Sequence, residues 1–196
     1  MRTGIKRLLR VHGFHSKLFE SASALLCHED FGEALCFILD INLNGESGIA
    51  LCRSLSDKGV RLPVIYITGN DSEANRAAAI ESGCIAYLTK PVSSEELIEA
   101  IERAMTHYES ARHQRNELDS LRRLVASLTP RERQVFNLIV RGKINKQIAY
   151  ELGTTERTVK AHRHQVMEKM QVHSLAELVS NAERLGMLEP NRDSST

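Results

Sequence analysis

The hydrophobic pattern of the first half of the chain alternates between two periods. Near-continuous apolar stretches, typical of strands buried on both faces, lie at 34–40 (ALCFILD), 63–68 (PVIYIT) and 84–90 (CIAYLTK). Amphipathic stretches with helical spacing lie at 48–59, 72–83 and 93–105. This alternation predicts an α/β domain with a parallel sheet.

The chain begins on a helical pattern. Apolar residues three and four apart predict a first helix that Gly13 ends, because glycine tolerates the backbone conformation that closes a helix. A weak strand at 15–20 (HSKLFE) and a short helix at 21–27 are predicted next.

Apolar residues then recur at steps of three and four from Ser94 to about Leu124. The spacing fits either one long helix or two helices with a break. Beyond Tyr108 it exposes an apolar seam that a second chain can cover.

The last third of the chain carries explicit helix start and stop signals. Thr129, Pro130 and Glu132 have the spacing of a capping box with proline at the first helical position, and Gly142 ends that helix. Asn145 is the predicted cap of a second, short helix, which runs to a turn at 153. Another capping box, at 174 and 177, predicts a last helix whose apolar side either packs within its own module or supports dimerisation.

The third helix of this module begins at Thr155 and has two different faces. Its buried stripe carries Val159, Val166 and Met170. At 100° per residue, the opposite face carries Arg157, Ala161 and His164, with Lys160 at its shoulder. A short helix, a glycine turn and an exposed cationic helix together predict a module that enters the major groove of duplex DNA.

Composition and charge support two domains with different tasks. The 196 residues are 42% apolar, enough for two modest cores. Residues 1–110 carry 11 Lys and Arg against 15 Asp and Glu, a balance of −4, whereas residues 128–188 carry 10 against 6, a balance of +4. The four cysteines form no metal-ligand spacing and are interpreted as reduced core residues. Without an apolar run long enough to span a bilayer, a cytoplasmic protein with no membrane partner is expected.

Three polar side chains end the predicted strands of the first domain. Asp40, Thr68 and Lys90 should therefore meet at the carboxyl edge of the sheet. A carboxylate, a hydroxyl and an ammonium suit a phosphoryl acceptor, with Asp40 as the nucleophile and the other two supporting the transferred oxyanions. The same residue types would suit a phosphoryl hydrolase, but Asn42 stands where a second acidic residue would be needed. We do not expect an enzyme.

The C-terminal stretch from Leu128 resembles the LuxR/FixJ-type helix-turn-helix over about sixty residues, with Leu-Thr-x-Arg-Glu, Asn-Lys-x-Ile-Ala and Thr-Val-x-x-His in register. The resemblance implies that Lys160, Ala161 and His164 face the bases. It also implies a set of residues that position the DNA backbone: Asn145, Lys146, Thr155, Arg157 and Thr158.

The segment ILDINLNGESG, with Thr68, Tyr87 and Lys90-Pro91, resembles the receiver domain of two-component response regulators. The resemblance implies phosphorylation of Asp40 by a sensor histidine kinase, inward movement of Thr68 and reorientation of Tyr87, which alters dimerisation. It further implies a cis Lys90-Pro91 bond and Mg²⁺ held by Asp40 and the backbone carbonyl of Asn42.

One departure from the receiver pattern is large. The first strand and the acidic pair that ends it are absent, which makes a Mg²⁺ site doubtful; Glu46 and Asp71 are the substitute carboxylates to consider. The missing strand would be central, so either the true start lies upstream, or the sheet re-pairs, or a segment swaps in from another chain.

The predicted architecture is an α/β, flavodoxin-like receiver domain without its first strand, followed by an all-α, four-helix helix-turn-helix domain. Its parts are the receiver-like domain at 1–107, a helical linker at 108–123, the DNA-binding domain at 124–189 and a polar tail at 190–196. The predicted function is that of a dimeric response regulator of transcription. The alternative is a DNA-binding regulator whose degenerate receiver serves only for dimerisation.

Overall fold

The computed structural model describes residues 2–43 and 45–188, which form two compact units that divide between Arg112 and His113. The division falls inside the segment predicted as a helical linker, and the predicted tail at 190–196 lies outside the described residues. No helix in the described ranges is long and apolar enough to cross a membrane.

The first unit alternates strands and helices in the predicted order. Its elements are α1 (Arg2–Val11), α2 (Ala22–Leu26), β1 (Phe37–Asp40), β2 (Asn42–Leu43), β3 (Glu46–Ser47), α3 (Gly48–Asp57), β4 (Val64–Thr68), α4 (Glu73–Glu81), β5 (Ala86–Thr89) and the first part of α5 (Ser94–Ala126).

The three longer strands form a parallel sheet in the order β1-β4-β5. In the register of the sheet Asp40 lies beside Ile67, and Thr68 lies beside Thr89, so the three strands end at one edge. The two short strands, β2 and β3, form an antiparallel hairpin directly after that edge.

Helices cover both faces of this sheet because alternate strand residues point to opposite sides. Tyr66, fully buried, packs in a cluster with Leu25 of α2 and Leu55 of α3. Ile65 and Ile67 point the other way, into a second cluster with apolar residues of α1 and of the start of α5. The parallel sheet with helices on two sides is the predicted fold class.

The predicted strand at 15–20 is wrong, since this segment has no regular secondary structure. A strand forms only where a neighbour receives its backbone N–H and C=O groups. Among the described residues β1 is bonded on one side only, by β4, and no strand pairs with its other side. In the described part of the chain the segment does not pair with the free side of β1 or with another strand, so no strand forms there, whatever its local pattern.

The segment from Ser94 to Ala126 is one uninterrupted helix, which selects the first of the two predicted alternatives. Leu97, Ile101 and Ala104 are buried in the first unit, and Val125 belongs to the core of the second. The intervening residues are mostly exposed, and Tyr108 is half-buried.

The second unit is all helical. After the end of α5 it contains α6 (Pro130–Val140), α7 (Asn145–Glu151), α8 (Glu156–Lys169) and α9 (Leu175–Arg184). Its core consists of fully buried apolar side chains from all four of these helices, among them Phe136, Ile148, Val159, Val166 and Leu178. The predicted glycine turns are present, with φ of +78° at Gly142 and +60° at Gly153.

Two local predictions need correction. Ile144, not Asn145, is the N-terminal cap of α7. The side chain of isoleucine cannot accept a hydrogen bond from the helix, but the N–H of Ile144 donates to Oε1 of Gln147 at 3.0 Å, which is the other half of a capping box. All four cysteines are free as expected, but Cys27 is exposed because it caps the short helix α2 at the surface, and the other three are half-buried.

Candidate functional site

The outward face of α8 is cationic, as the helical spacing predicts. Arg157, Lys160, Ala161 and His164 are all exposed, while Val159 on the opposite face is completely buried. The apolar stripe thus anchors the helix and leaves long donors and one small residue facing solvent. This is the arrangement a helix needs to approach base edges in a major groove.

The start of α8 is fixed by its own side chains. The hydroxyl of Thr155 accepts a hydrogen bond from the N–H of Thr158 at 3.2 Å, and the two hydroxyl oxygens lie 2.9 Å apart. Thr155 is exposed and Thr158 is half-buried. Thr155 therefore caps the helix and Thr158 lies in its first turn, at the positive end of the helix, where anions such as phosphates are favoured.

The start of α7 carries two further predicted contacts to the DNA backbone. Asn145 is the first helical residue and is half-buried, and Lys146 next to it is exposed. The structure thus presents an amide and an ammonium at another helix N-terminus, a place where phosphate oxygens are bound well.

In the first unit, the structure brings Asp40 and Lys90 together at the carboxyl edge of the sheet. Lys90 Nζ donates to Asp40 Oδ2 at 2.5 Å, and about a quarter of each side chain is exposed. The other carboxylate oxygen, Oδ1, accepts the N–H of Asn42 at 3.0 Å. The Lys90-Pro91 bond is cis, as the resemblance implies.

Thr68 ends its strand at the same edge, but its hydroxyl is engaged elsewhere. It donates to the carbonyl of Asn70 at 2.9 Å and accepts the N–H of Asn70 at 3.1 Å. The side chain is 2% exposed. At this edge Asp40 and Lys90 therefore form a pair. The hydroxyl of Thr68 would have to give up its hydrogen bonds to Asn70 before it could contact that pair.

Tyr87 is held by two residues that the sequence did not connect with it. Its hydroxyl donates to Asp71 Oδ1 at 3.1 Å, while Arg76 binds the other oxygen of Asp71 at 2.8 Å and lies over the tyrosine ring, 4.8 Å from its centroid. Desolvation and the nearby carboxylate raise the pKa of Tyr87. We call this cluster of Asp71, Arg76 and Tyr87 the tyrosine latch.

The described residues do not by themselves fit a Mg²⁺ site. They contain no group of three or more His, Cys, Asp or Glu side chains suited to a metal. Asp40 is the carboxylate at the sheet edge and it is paired with Lys90, Asp71 belongs to the tyrosine latch, and Glu46 is exposed in β3. Among the described residues, Asp40 is therefore not part of a group of three or more side chains that could hold Mg²⁺.

Gly48 is a residue that sequence reasoning missed. A Cβ atom at this position would lie 2.1 Å from the carbonyl oxygen of Asp40, and the N–H of Gly48 donates to Ile41 at 2.8 Å. Only glycine lets α3 start this close to the strand that carries Asp40. In the sequence, its position two residues after Glu46 is a weak indication of this close approach, because glycine occurs at the start of helices for many reasons.

Two family models match the chain. The model described as response regulator receiver domain matches residues 1–102, and the model of bacterial regulatory proteins, luxR family, matches residues 126–182.

Curated relatives and a solved structure agree with these models. The chain is 36% identical over 181 residues to the response regulator protein TodT of Pseudomonas putida, covering 92% of this chain and 80% of that one. It is 35% identical over 182 residues to the transcriptional regulatory protein FixJ of Rhizobium meliloti, covering 93% and 89%. The solved structure of response regulator StyR has 40% identity and a TM-score of 0.80, covering 94% of this chain and 93% of that one.

Proposed function

The chain belongs to the two-component response regulators that carry a receiver domain and a LuxR-type DNA-binding domain, and from this membership we propose that it binds duplex DNA as a homodimer through the exposed face of α8. Binding, not catalysis, is then its activity. The observation that carries the proposal is the joint exposure of Arg157, Lys160, Ala161 and His164 on a helix whose opposite side is buried.

Each exposed residue of α8 has a role in this proposal. Lys160 and His164 donate hydrogen bonds to base edges, and Ala161 between them permits close approach. Arg157, with Thr155, Thr158, Asn145 and Lys146, binds phosphate oxygens and fixes the register on the duplex. Because these last contacts neutralise phosphates, the affinity should fall steeply as salt is raised.

The Lys160→Ala variant tests the base-reading role. A preferred duplex is first selected from a random pool with the full chain, and affinities for it and for a scrambled duplex are measured by fluorescence anisotropy. We expect Lys160→Ala to weaken binding to the selected duplex more than binding to the scrambled one. Lys143→Ala is the charge-matched control in the same domain, where the lysine is paired with Glu151 at 3.0 Å. An equal loss on both duplexes for Lys160→Ala would refute base reading.

We further propose that Asp40 accepts a phosphoryl group from a sensor histidine kinase. Lys90, already 2.5 Å from Asp40, would pair with the new phosphoryl oxygens, and Thr68 would leave Asn70 to donate to them. The phosphoryl group adds negative charge at an edge where one ammonium is present. Release of Tyr87 from the tyrosine latch would carry the change to the surface.

Intact-mass measurement tests this step directly. Incubation with acetyl phosphate and Mg²⁺ should add the mass of one phosphoryl group to the full chain and none to the Asp40→Asn variant. An unchanged mass for both would favour the second candidate function, a regulator whose receiver unit serves only for dimerisation. The observation that favours this candidate is that the described residues contain no group of three or more His, Cys, Asp or Glu side chains that could hold a metal, while Asp40 is paired with Lys90.

A further inference from the structure

We propose that Arg131 and Glu132, adjacent residues in the first turn of α6, are positioning residues for DNA binding that hold α8 at its working angle without touching DNA. The inference rests on the proposed function of α8 as the groove-binding helix. Both residues lie in α6, which makes none of the proposed contacts with DNA.

Glu132 attaches α6 to the last residue of α8. Its Oε2 accepts the N–H of Thr129 at 2.8 Å and the ammonium of Lys169 at 2.7 Å. Glu132 is only 6% exposed, and the hydrogen bonds from Lys169 and Thr129 lower its pKa. A carboxylate buried this far costs much to leave unpaired, so the contact is a fixed attachment, unlike an exposed ion pair.

Arg131 attaches α6 to the turn before α8. Its Nη2 donates to the carbonyl oxygen of Leu152 at 2.5 Å, and its Nη1 donates to Gln134 at 2.9 Å. Leu152 is the C-terminal cap of α7 and directly precedes Gly153. The carbonyls at a helix end lack partners within the helix and carry partial negative charge, which a guanidinium satisfies.

Consecutive side chains of α6 therefore contact the turn that precedes α8 and the last residue of α8. Arg131 reaches the turn that leads into α8, and Glu132 reaches Lys169 where α8 ends. The apolar contacts of Val159 and Val166 fix how deeply α8 is seated, but apolar burial is not directional. The two polar attachments add direction, and base-edge hydrogen bonds require side chains placed within about 0.5 Å and 10–20°.

The competing interpretation makes Arg131 a phosphate contact. The two interpretations differ in the dependence of affinity on salt, because each lost phosphate contact reduces the slope of log affinity against log salt by about 0.9. Loss of a positioning contact should leave that slope unchanged, since every phosphate contact is still made.

The test uses the full chain, a selected duplex and a scrambled duplex, with anisotropy titrations across a salt series. Arg131→Ala should bind the selected duplex about tenfold more weakly, the scrambled duplex nearly as well as the wild type, with the salt slope unchanged. Arg133→Ala is the matched control, because it removes the same charge from the same helix. The side chain of Arg133 is exposed and donates a long hydrogen bond to the carbonyl oxygen of Val125 at 3.5 Å.

A second pair of variants guards against unfolding as the cause. Lys169→Arg keeps the ion pair with Glu132 and should keep selective binding, whereas Lys169→Met should lose it at temperatures where circular dichroism shows both variants folded. A salt slope reduced by about one in Arg131→Ala would overturn the inference. So would an equal loss in Arg133→Ala, or unchanged selectivity in both Arg131→Ala and Lys169→Met. If the wild type binds no duplex, the proposed function fails first, and that result is distinct from these.

Discussion

Replacement of Gly48 by alanine tests how tightly the start of α3 is packed against the strand of Asp40. The added Cβ would lie 2.1 Å from the carbonyl oxygen of Asp40, 3.0 Å from its carbonyl carbon and 3.3 Å from Cα of Ile41. All three are backbone atoms, so no side-chain rotation relieves the overlap.

The expected cost follows from these distances. Reaching an ordinary contact of roughly 3.5 Å requires the two backbones to separate by about 1.4 Å. Overpacking of this kind costs about 1–3 kcal/mol, and weakening the bond from the Gly48 N–H to Ile41 adds about 1 kcal/mol. Alanine in a helix recovers about 0.5–1 kcal/mol relative to glycine. The net loss should be about 1–3.5 kcal/mol.

Hydrogen exchange read by mass spectrometry measures this loss in each unit separately. Peptides from β1 and α3 should exchange about 5- to 400-fold faster in Gly48→Ala than in the wild type. Peptides from α6 to α9 provide the internal reference, because they belong to the second unit.

A glycine without contacts supplies the control. Gly4 lies in α1, where an alanine Cβ would have no heavy atom within 4 Å and the backbone φ is not positive, so Gly4→Ala should slow exchange by a few-fold or leave it unchanged. If Gly48→Ala changed the local stability by less than about 0.5 kcal/mol, the close approach described for Asp40 would be refuted.

Three further outcomes are expected. The folded-state pKa of Glu132 lies below its ordinary value of 4.5, so the charged carboxylate stabilises the fold above pH 4.5, and this contribution is lost as the pH falls through the lowered pKa. The thermal stability of Glu132→Gln should therefore fall less between about pH 5 and 3 than that of the wild type. Equal slopes of thermal stability against pH would contradict this. Asp71→Ala should lower the pKa of Tyr87, seen by ultraviolet absorbance titration, and an unchanged difference spectrum would contradict the tyrosine latch. Among the thiols, exposed Cys27 should be alkylated first at pH 8 and Cys36, whose pKa burial raises to about 11, should be far slower; mass mapping of the labelled peptides decides the order.

Local signals account for the parts of the fold that sequence reasoning predicted. The capping box of Thr129 and Glu132 and the turn at Gly153 depend on residues within a few positions of each other, so the sequence contains all of their causes. The strand predicted at 15–20 failed because a strand also depends on a neighbour that its own sequence does not specify.

The contacts of the candidate site also differ in how far the sequence could predict them. That Asp40 and Lys90 approach each other follows from their places at the ends of parallel strands. The engagement of Thr68 with Asn70, and of Tyr87 with Asp71, depends on rotamers chosen among competing partners. Gly48 was missed because its constraint comes from a backbone atom eight residues earlier in the chain, across a hairpin.

The exposed face of α8 contributes little to the folding of its domain, and the proposed function assigns the choice of DNA sequence to this face. Lys160, Ala161 and His164 stand in solvent, and substitutions at such positions usually change stability by less than about 0.5 kcal/mol. If these three residues read the bases as proposed, their exchange would change the preferred DNA sequence with little effect on the stability of the domain. A library randomised at the same positions should yield mostly folded proteins with different sequence preferences.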